Sequence, residues 1–418
     1  MNWFRTGVLV LVGLKWGMQL WLERMNARYV RAHASAVPEL LRDVVDPRTY
    51  AKTTAYTLAK AHLRTVELTY DAVVLVLVLF SGVLSAAFDL FRRDAGGSPW
   101  SMAAFLFTVG VGFSILDLPF AWYAQFRLEE RFGFNTTTQG LWWMDRLKAL
   151  ILGLALACPL LVLILFLVSW TGAYWWLWAW GALMGFQLLI GLLAPVLILP
   201  LFNKFTPLPE GSLRERLLNL ARRTNFRAKS IQVMDGSKRS RHSNAFFTGF
   251  GSFRKIVLFD TLIQQLLEPE LEAVLAHEIG HFKKKHIPKM LLASALGSLV
   301  GFYILSWLAN QAWFYRAFDF PPGKVATALL LFGLLSGVAT FWLSPLMHWW
   351  SRRYEYEADA FAARTMSEPR SLISALRKLN EKNLSNLTPH PLYSGFYYSH
   401  PTLLEREQAL TRAVAKGA

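Results

Sequence analysis

Seven stretches of this chain are apolar over enough residues to cross a bilayer, whose hydrocarbon core of about 30 Å takes roughly 20 helical residues. They run near Thr6–Leu22, Asp71–Phe88, Ser101–Tyr123, Ala149–Trp170, Tyr174–Leu199, Met290–Leu308 and Val325–Trp350. The fourth and seventh carry no charge apart from His348, whereas Lys15 interrupts the first and Asp117-Leu118-Pro119 places a charge and a helix breaker in the third. Between the fifth and sixth the pattern changes. Leu213–Arg223 has amphipathic helical spacing, Ser230–Met234 alternates like a strand, and Lys255–Phe259 is a short β-rich run. The chain therefore divides into five spans with their loops (1–202), the first part of a small mixed domain (203–289), two further spans (290–350) and the second part of that domain (351–418).

Charge sets the sidedness. Arg24, Arg28, Arg31, Arg42, Arg48, Lys52, Lys60 and Arg64 follow the first span, while Thr171-Gly172-Ala173 after the fourth is uncharged. By the positive-inside rule both parts of the mixed domain face the cytoplasm. The first run lacks a small-residue cleavage site and reads as a retained span. Composition agrees with a membrane protein: 54% of residues are hydrophobic and 17% charged, with 17 Trp and 30 Phe. The net charge of +16 is accounted for by a basic face against anionic lipid, and no nucleic-acid motif accompanies it. The single cysteine, Cys158, excludes an intrachain disulfide and a cysteine-based metal site. Asp94–Pro99, though Gly-containing, has no phosphate-binding pattern and reads as a turn.

The candidate chemistry lies just before the sixth span, in His277-Glu278-Ile279-Gly280-His281. Helical side chains four apart lie roughly 40° from one another, so both imidazoles can converge on one metal. Zinc lowers the pKa of bound water to about 7, and Glu278 beside it can take the proton as that water attacks a carbonyl carbon. Pro269 in a first turn, Glu270 and Glu272 at the positive end, the apolar Leu271, Val274, Leu275 and Ile279, and Lys283 to Lys285 at the other end all specify the helix. His286, five residues past His281, lies about 140° around a continuous helix and so off the common metal. His242, His348 and His390 have weaker claims.

Three protein ligands would leave the fourth position to water, as a catalytic zinc requires. Past the last span, Glu355 and Asp359 share one helical face while Glu357 points elsewhere. Glu355 is the expected third ligand, and Asp359, one turn on, either orients a ligating imidazole or donates a proton near the substrate. Standing alone, the same residues would read as a solvated acidic face with Arg352 and Arg353.

Together with Glu130–Asn135, Pro200–Leu208, Asp235–Ser240, Asn244–Gly249 and Tyr398–Pro401, these segments resemble the zinc-dependent (type I) CAAX prenyl protease family, from about residue 50 to the C-terminus. The resemblance implies a mainly α membrane protein of seven transmembrane helices enclosing a hydrated chamber, with a cytoplasmic α+β, gluzincin-like zinc metalloprotease domain. It implies His277, His281 and Glu355 as ligands of one Zn2+ per chain and Glu278 as the catalytic carboxylate. It also places Asn244 and Ala245 on a substrate-binding sheet edge, His400 near the metal where it could serve the oxyanion, and Arg406 in the following helix, beside the substrate.

The activity so implied is a metalloendopeptidase that removes the C-terminal tripeptide after a prenylated cysteine. Sheet-edge binding reads backbone more than sequence, so general processing of membrane-associated proteins is the companion expectation. The chain's end, Ala415–Ala418, carries no recognisable retrieval signal, which favours a bacterial inner membrane over an endoplasmic reticulum membrane. Asn135 and Asn386, in glycosylation sequons, would then face the cytoplasm unmodified. The alternative is a seven-helix transporter or receptor with a vestigial protease domain.

Overall fold

A computed structural model describes residues 3–39, 42, 45–248, 254–368 and 370–415. Gly249 of the resemblance motif and Lys416 to Ala418 of the chain end lie outside them. The membrane part opens with α1 (Trp3–Ala32), α2 (Pro47–Phe80), α3 (Val83–Ala95), α4 (Pro99–Tyr123), α5 (Gln139–Trp170) and α6 (Trp175–Leu193). The mixed domain follows as β1 (Phe205–Pro207), α7 (Ser212–Arg223), β2 (Ser230–Met234), β3 (Ala245–Thr248), β4 (Lys255–Phe259) and α8 (Glu268–Lys283). Next come α9 (His286–Ala309), α10 (Val325–Thr340), α11 (Ser344–Thr365), α12 (Arg370–Lys382), α13 (Pro391–Tyr397) and α14 (Leu403–Ala415).

Among the described residues, five helical runs are long and apolar enough to cross a membrane: Pro99–Phe132, Gln139–Trp170, Gly172–Phe202, His286–Ala309 and Val325–Thr365. A sixth forms if α2 and α3 count as one broken span, since they meet at 54°. The expected span Asp71–Phe88 runs straight through that bend, where Gly82 adopts a left-handed φ of 78°. Thr6–Leu22 lies inside the 30-residue α1, but Arg5, Lys15 and Gln19 leave it short of the apolarity of the five. In the third span Pro119 does not end the helix. The chain passes through Pro119 and adjusts afterwards by a wide turn at Ala124–Glu129, one way a helix absorbs a missing N–H.

The spans pack on one another around Phe88, Phe105, Phe314, Tyr315 and Phe318, all buried, while Ile151, Leu154, Leu192 and Val300 are each more than half exposed. Large apolar side chains turned outward along whole helices have a lipid bilayer as their solvent. The protein is an integral membrane protein.

The mixed domain is built on a four-stranded sheet of order β1-β2-β4-β3. The two expected strands are its inner pair, parallel and in register from Ser230 opposite Lys255 to Met234 opposite Phe259. Antiparallel β1 and β3 flank them. Ile256, Val257 and Leu258 of β4 are each 1% exposed. Ile256 and Leu258 share a core with Leu217 and Leu220 of α7 and with Leu271, Leu275 and Ile279 of α8.

Candidate metal centre

The helix α8 is held at its start by Glu270, whose carboxylate accepts the Leu267 N–H at 2.8 Å, the glutamate half of a capping box. The same group takes the Ser374 hydroxyl at 2.6 Å and pairs with Lys378 at 2.7 Å, tying α8 to α12. Glu272, buried on the next face, pairs with Arg216 at 2.5 Å and Arg223 at 2.6 Å of α7. The two acids expected to serve the helix dipole thus also dock α8 against its neighbours. At the other end Lys285 adopts a left-handed φ of 56° and breaks the helix.

A long helix brings in the other half of the site. From Val325 through a tight turn at Phe341–Leu343 to Thr365 the chain stays helical for 41 residues, about 60 Å at 1.5 Å per residue and twice the hydrocarbon thickness. It therefore projects out of the membrane part and lays Glu355 and Asp359 against α8. The helices meet at backbone distance: a Cβ at Gly280 would lie 3.0 Å from the Cα and carbonyl oxygen of Ala358 and 3.2 Å from Phe361 Cβ.

At that crossing His277 Nε2 and His281 Nε2 stand 3.2 Å apart. Glu355 reaches both, Oε2 to His277 at 3.4 Å and Oε1 to His281 at 3.3 Å. Ligands at about 2.0–2.2 Å from a tetrahedral zinc stand roughly 3.3 Å from one another, so these three separations fit the edges of one coordination shell. Glu355 is 4% exposed, and its buried Oε2 has no hydrogen-bond partner. An ionised oxygen so placed is costly unless a cation neutralises it. The residues present fit a zinc ion.

Around this cradle the other expected residues take distinct places. Asp359 Oδ1 lies 2.8 Å from His277 Nδ1, on the side of the ring away from the cradle. Arg406, 9% exposed, holds Asp359 with two hydrogen bonds, Nε to Oδ2 at 2.8 Å and Nη2 to Oδ1 at 2.5 Å. Burial alone would push the His277 imidazole down, but the Asp359 and Glu355 carboxylates outweigh it and hold the group at about 9. Glu278 makes no hydrogen bond among the described residues, and burial pushes its carboxyl up against the pull of His277 and His281. His400 sits at the rim with its side chain 65% exposed and its Nε2 3.4 Å from Glu355 Oε1. Ala245 begins β3, an edge strand of the sheet, and Asn244 immediately precedes it; the Asn244 carbonyl accepts the Phe259 N–H at 3.1 Å.

Two features escaped the pattern of the sequence. Gly280 sets the approach of α11, a contact that no residue spacing discloses. A helix continued through His286 turns its ring away from His281, whereas the break at Lys285 starts a new helix and turns the His286 ring back to His281, Nδ1 to Nδ1 at 3.0 Å. Pro288, in the first turn of α9, was the available sign of that new start.

A buried carboxylate beside a His-His-Glu group that could hold a metal ion, in a chain with membrane-length helices, fits a membrane metalloprotease. Comparison with known proteins agrees. Residues 26–204 match the model of the CAAX prenyl protease N-terminal region with five membrane helices, and residues 207–414 match peptidase family M48. The chain is 36% identical over 386 residues to the CAAX prenyl protease 1 homolog of Arabidopsis thaliana, spanning 90% of each chain. It is 31% identical over 447 residues to the homolog of Homo sapiens, covering 94% of this chain and 93% of that one. The crystal structure of S. mikatae Ste24p superposes with a TM-score of 0.92 at 32% identity, over 97% of this chain and 98% of that one. The chain belongs to peptidase family M48, whose metalloproteases are zinc-dependent, and within it to the CAAX prenyl proteases. A transporter or receptor with a vestigial domain is not favoured.

Proposed function

We propose that His277, His281 and Glu355 hold one zinc ion per chain and that Glu278 is the base in peptide hydrolysis at it. The observation that carries this is the buried Glu355 oxygen, without a hydrogen-bond partner among the described residues and 3.9 Å from Arg406 Nη1, set with two imidazole nitrogens at coordination-edge spacing. Bound there, zinc would polarise a scissile carbonyl and lower the pKa of a water to about 7. Glu278, without a hydrogen bond among the described residues, would take the proton of the attacking water and return it to the departing amine. Asp359 accepts the His277 Nδ1–H and so keeps the Nε2 lone pair toward the metal. Arg406 serves by fixing Asp359, and its burial favours that positioning role over the direct substrate contact that the resemblance implied. His400 stands where it could donate to the developing oxyanion, a contribution of about 2.7 to 4 kcal/mol per donor at tested sites.

For the substrate, the outer edge of β3, which begins at Ala245 just after Asn244 and is unpaired among the described residues, supports extended binding by strand addition. A cavity of about 680 Å3, whose lining includes Glu23, Lys60, Arg64, Glu129, His242 and Tyr398, supports the hydrated chamber. We take the substrate to be the C-terminal segment of a prenylated or other membrane-associated protein. The finer topology has seven spans, with α1 and the bent α2–α3 pair included, the divided domain (203–289 and 351–418) on the cytoplasmic face, and a bacterial inner membrane as the setting, or the endoplasmic reticulum if the source is eukaryotic.

The test uses purified enzyme with matched peptides carrying a farnesylated cysteine, a free cysteine or none, and mass spectrometry of the products. Release of the C-terminal tripeptide from the farnesylated peptide, together with slower cleavage of the others, is the expected result. Cleavage confined to the farnesylated peptide removes the broad specificity, and its survival intact with zinc-loaded enzyme removes the CAAX activity.

A further inference from the structure

His277 has a carboxylate anchor in Asp359; the other imidazole of the cradle faces a second histidine. His281 Nδ1 lies 3.0 Å from His286 Nδ1, and His286 Nε2 lies 3.2 Å from Glu357 Oε2. His286 is 1% exposed, and its ring stacks on Tyr354, the residue before Glu355, at 4.0 Å and 11°. The sequence had set both residues aside, His286 by extending a helix that in fact breaks and Glu357 as pointing elsewhere.

We propose that Glu357 and His286 form a relay that fixes the tautomer and orientation of His281, so that each ligating imidazole ends on a carboxylate. This rests on the zinc site proposed above. The proton count leaves one arrangement. With the His281 Nε2 lone pair directed into the cradle, its single ring proton sits on Nδ1 and donates to His286 Nδ1. His286, having accepted at Nδ1, carries its own proton at Nε2 and donates it to Glu357. Hydrogen-bonded groups behind metal-bound histidines typically govern 10- to 100-fold in metal affinity. Glu357, with Arg353 alongside at 3.5 Å, is the fixed acceptor that gives the chain its direction. The function assigned is positioning: neither residue reaches the cradle.

Two substitutions separate a relay from simple packing, because they rank oppositely under the two. His286→Phe keeps the buried ring and its stack on Tyr354 but offers no acceptor to His281. His286→Asn gives up the stack but places an amide oxygen where Nδ1 stood. The readout is zinc retention by the purified, folded full-length protein against a graded chelator, with no dependence on turnover. The relay calls for zinc affinity 10- to 100-fold weaker in His286→Phe and within about threefold of the parent in His286→Asn. It also calls for weakening of at least threefold in Glu357→Ala, a partly exposed site where loss of packing is small. A parent that holds zinc while His286→Phe holds it equally, or while His286→Asn loses as much as His286→Phe, overturns the relay alone. A parent that binds no zinc overturns both the relay and the reading beneath it.

Discussion

Glu270 is 3% exposed and makes three kinds of contact at once, to the Leu267 N–H, the Ser374 hydroxyl and the Lys378 ammonium. Burial works against its charge, but these partners prevail and hold the carboxyl below its usual 4.5. A depressed native value means the native state releases the proton more readily than the unfolded one. The resulting stability is whole above about pH 4.5 and is lost as pH falls through the native value. Glu270→Gln, which keeps the size and an acceptor, is expected to cost about 2 kcal/mol at pH 7; this is below the 3–5 of a fully buried pair because the Lys378 side chain is 32% exposed. In acid the two proteins should converge. Denaturant unfolding in detergent at pH 7 and at pH 3.5 measures both, and a gap that persists undiminished at the lower pH would remove the ion pair as its cause. Single residues of this sort were half legible. The sequence placed Glu270 at a helix start, where an acid belongs on dipole grounds, but Ser374 and Lys378 are about 100 residues away and carry no local signal.

Among the elements, the crossing of α8 and α11 has the greatest consequence, since it decides whether Glu355 reaches the histidines. Helix propensity favours alanine over glycine by about 1 kcal/mol at position 280. Against that, a Cβ would press on the Ala358 backbone, which cannot swing aside as a flexible side chain can; overpacking costs about 1–3 kcal/mol. Gly280→Ala is therefore expected to hold zinc at least tenfold more weakly and to melt below the parent. An alanine variant that melts higher with zinc binding unchanged would show that the helices have slack. Periodicity disclosed the elements themselves well where one period held without interruption: α7, β2, β4 and the body of α8 lie where the pattern put them. It failed where backbone conformation changes inside an apolar or charged run, as at Gly82 within the expected second span and at Lys285 before His286. The short edge strands β1 and β3 gave no periodic signal, β1 being three residues long and ending in proline.

On the scale of the whole molecule, both halves of the cradle must lie on one side of the membrane, and two of the apolar runs, α9 and the one beginning at Val325, separate them in sequence. Reporters inserted in the loop at residues 203–212 and fused after residue 418 are expected to report the cytoplasm, and one at Gly172 the opposite side. A split between the first two would dismantle the composite site. Membrane character and the His-Glu motif were legible because composition and i, i+4 spacing are properties of the linear chain. The number of spans was not, because Lys15 interrupts the apolar run of α1, with Arg5 just before it, and composition alone does not decide where such a helix lies. The central claim is that one zinc held by α8 and α11 activates water through Glu278. Its most direct measurement is zinc content together with peptide hydrolysis in the parent, Glu278→Gln and Glu355→Ala. The account expects about one zinc per chain in the parent and in Glu278→Gln, hydrolysis lowered by about 100- to 10,000-fold in the latter, and loss of both metal and activity in Glu355→Ala; full hydrolysis by Glu278→Gln, or undiminished zinc in Glu355→Ala, would contradict it.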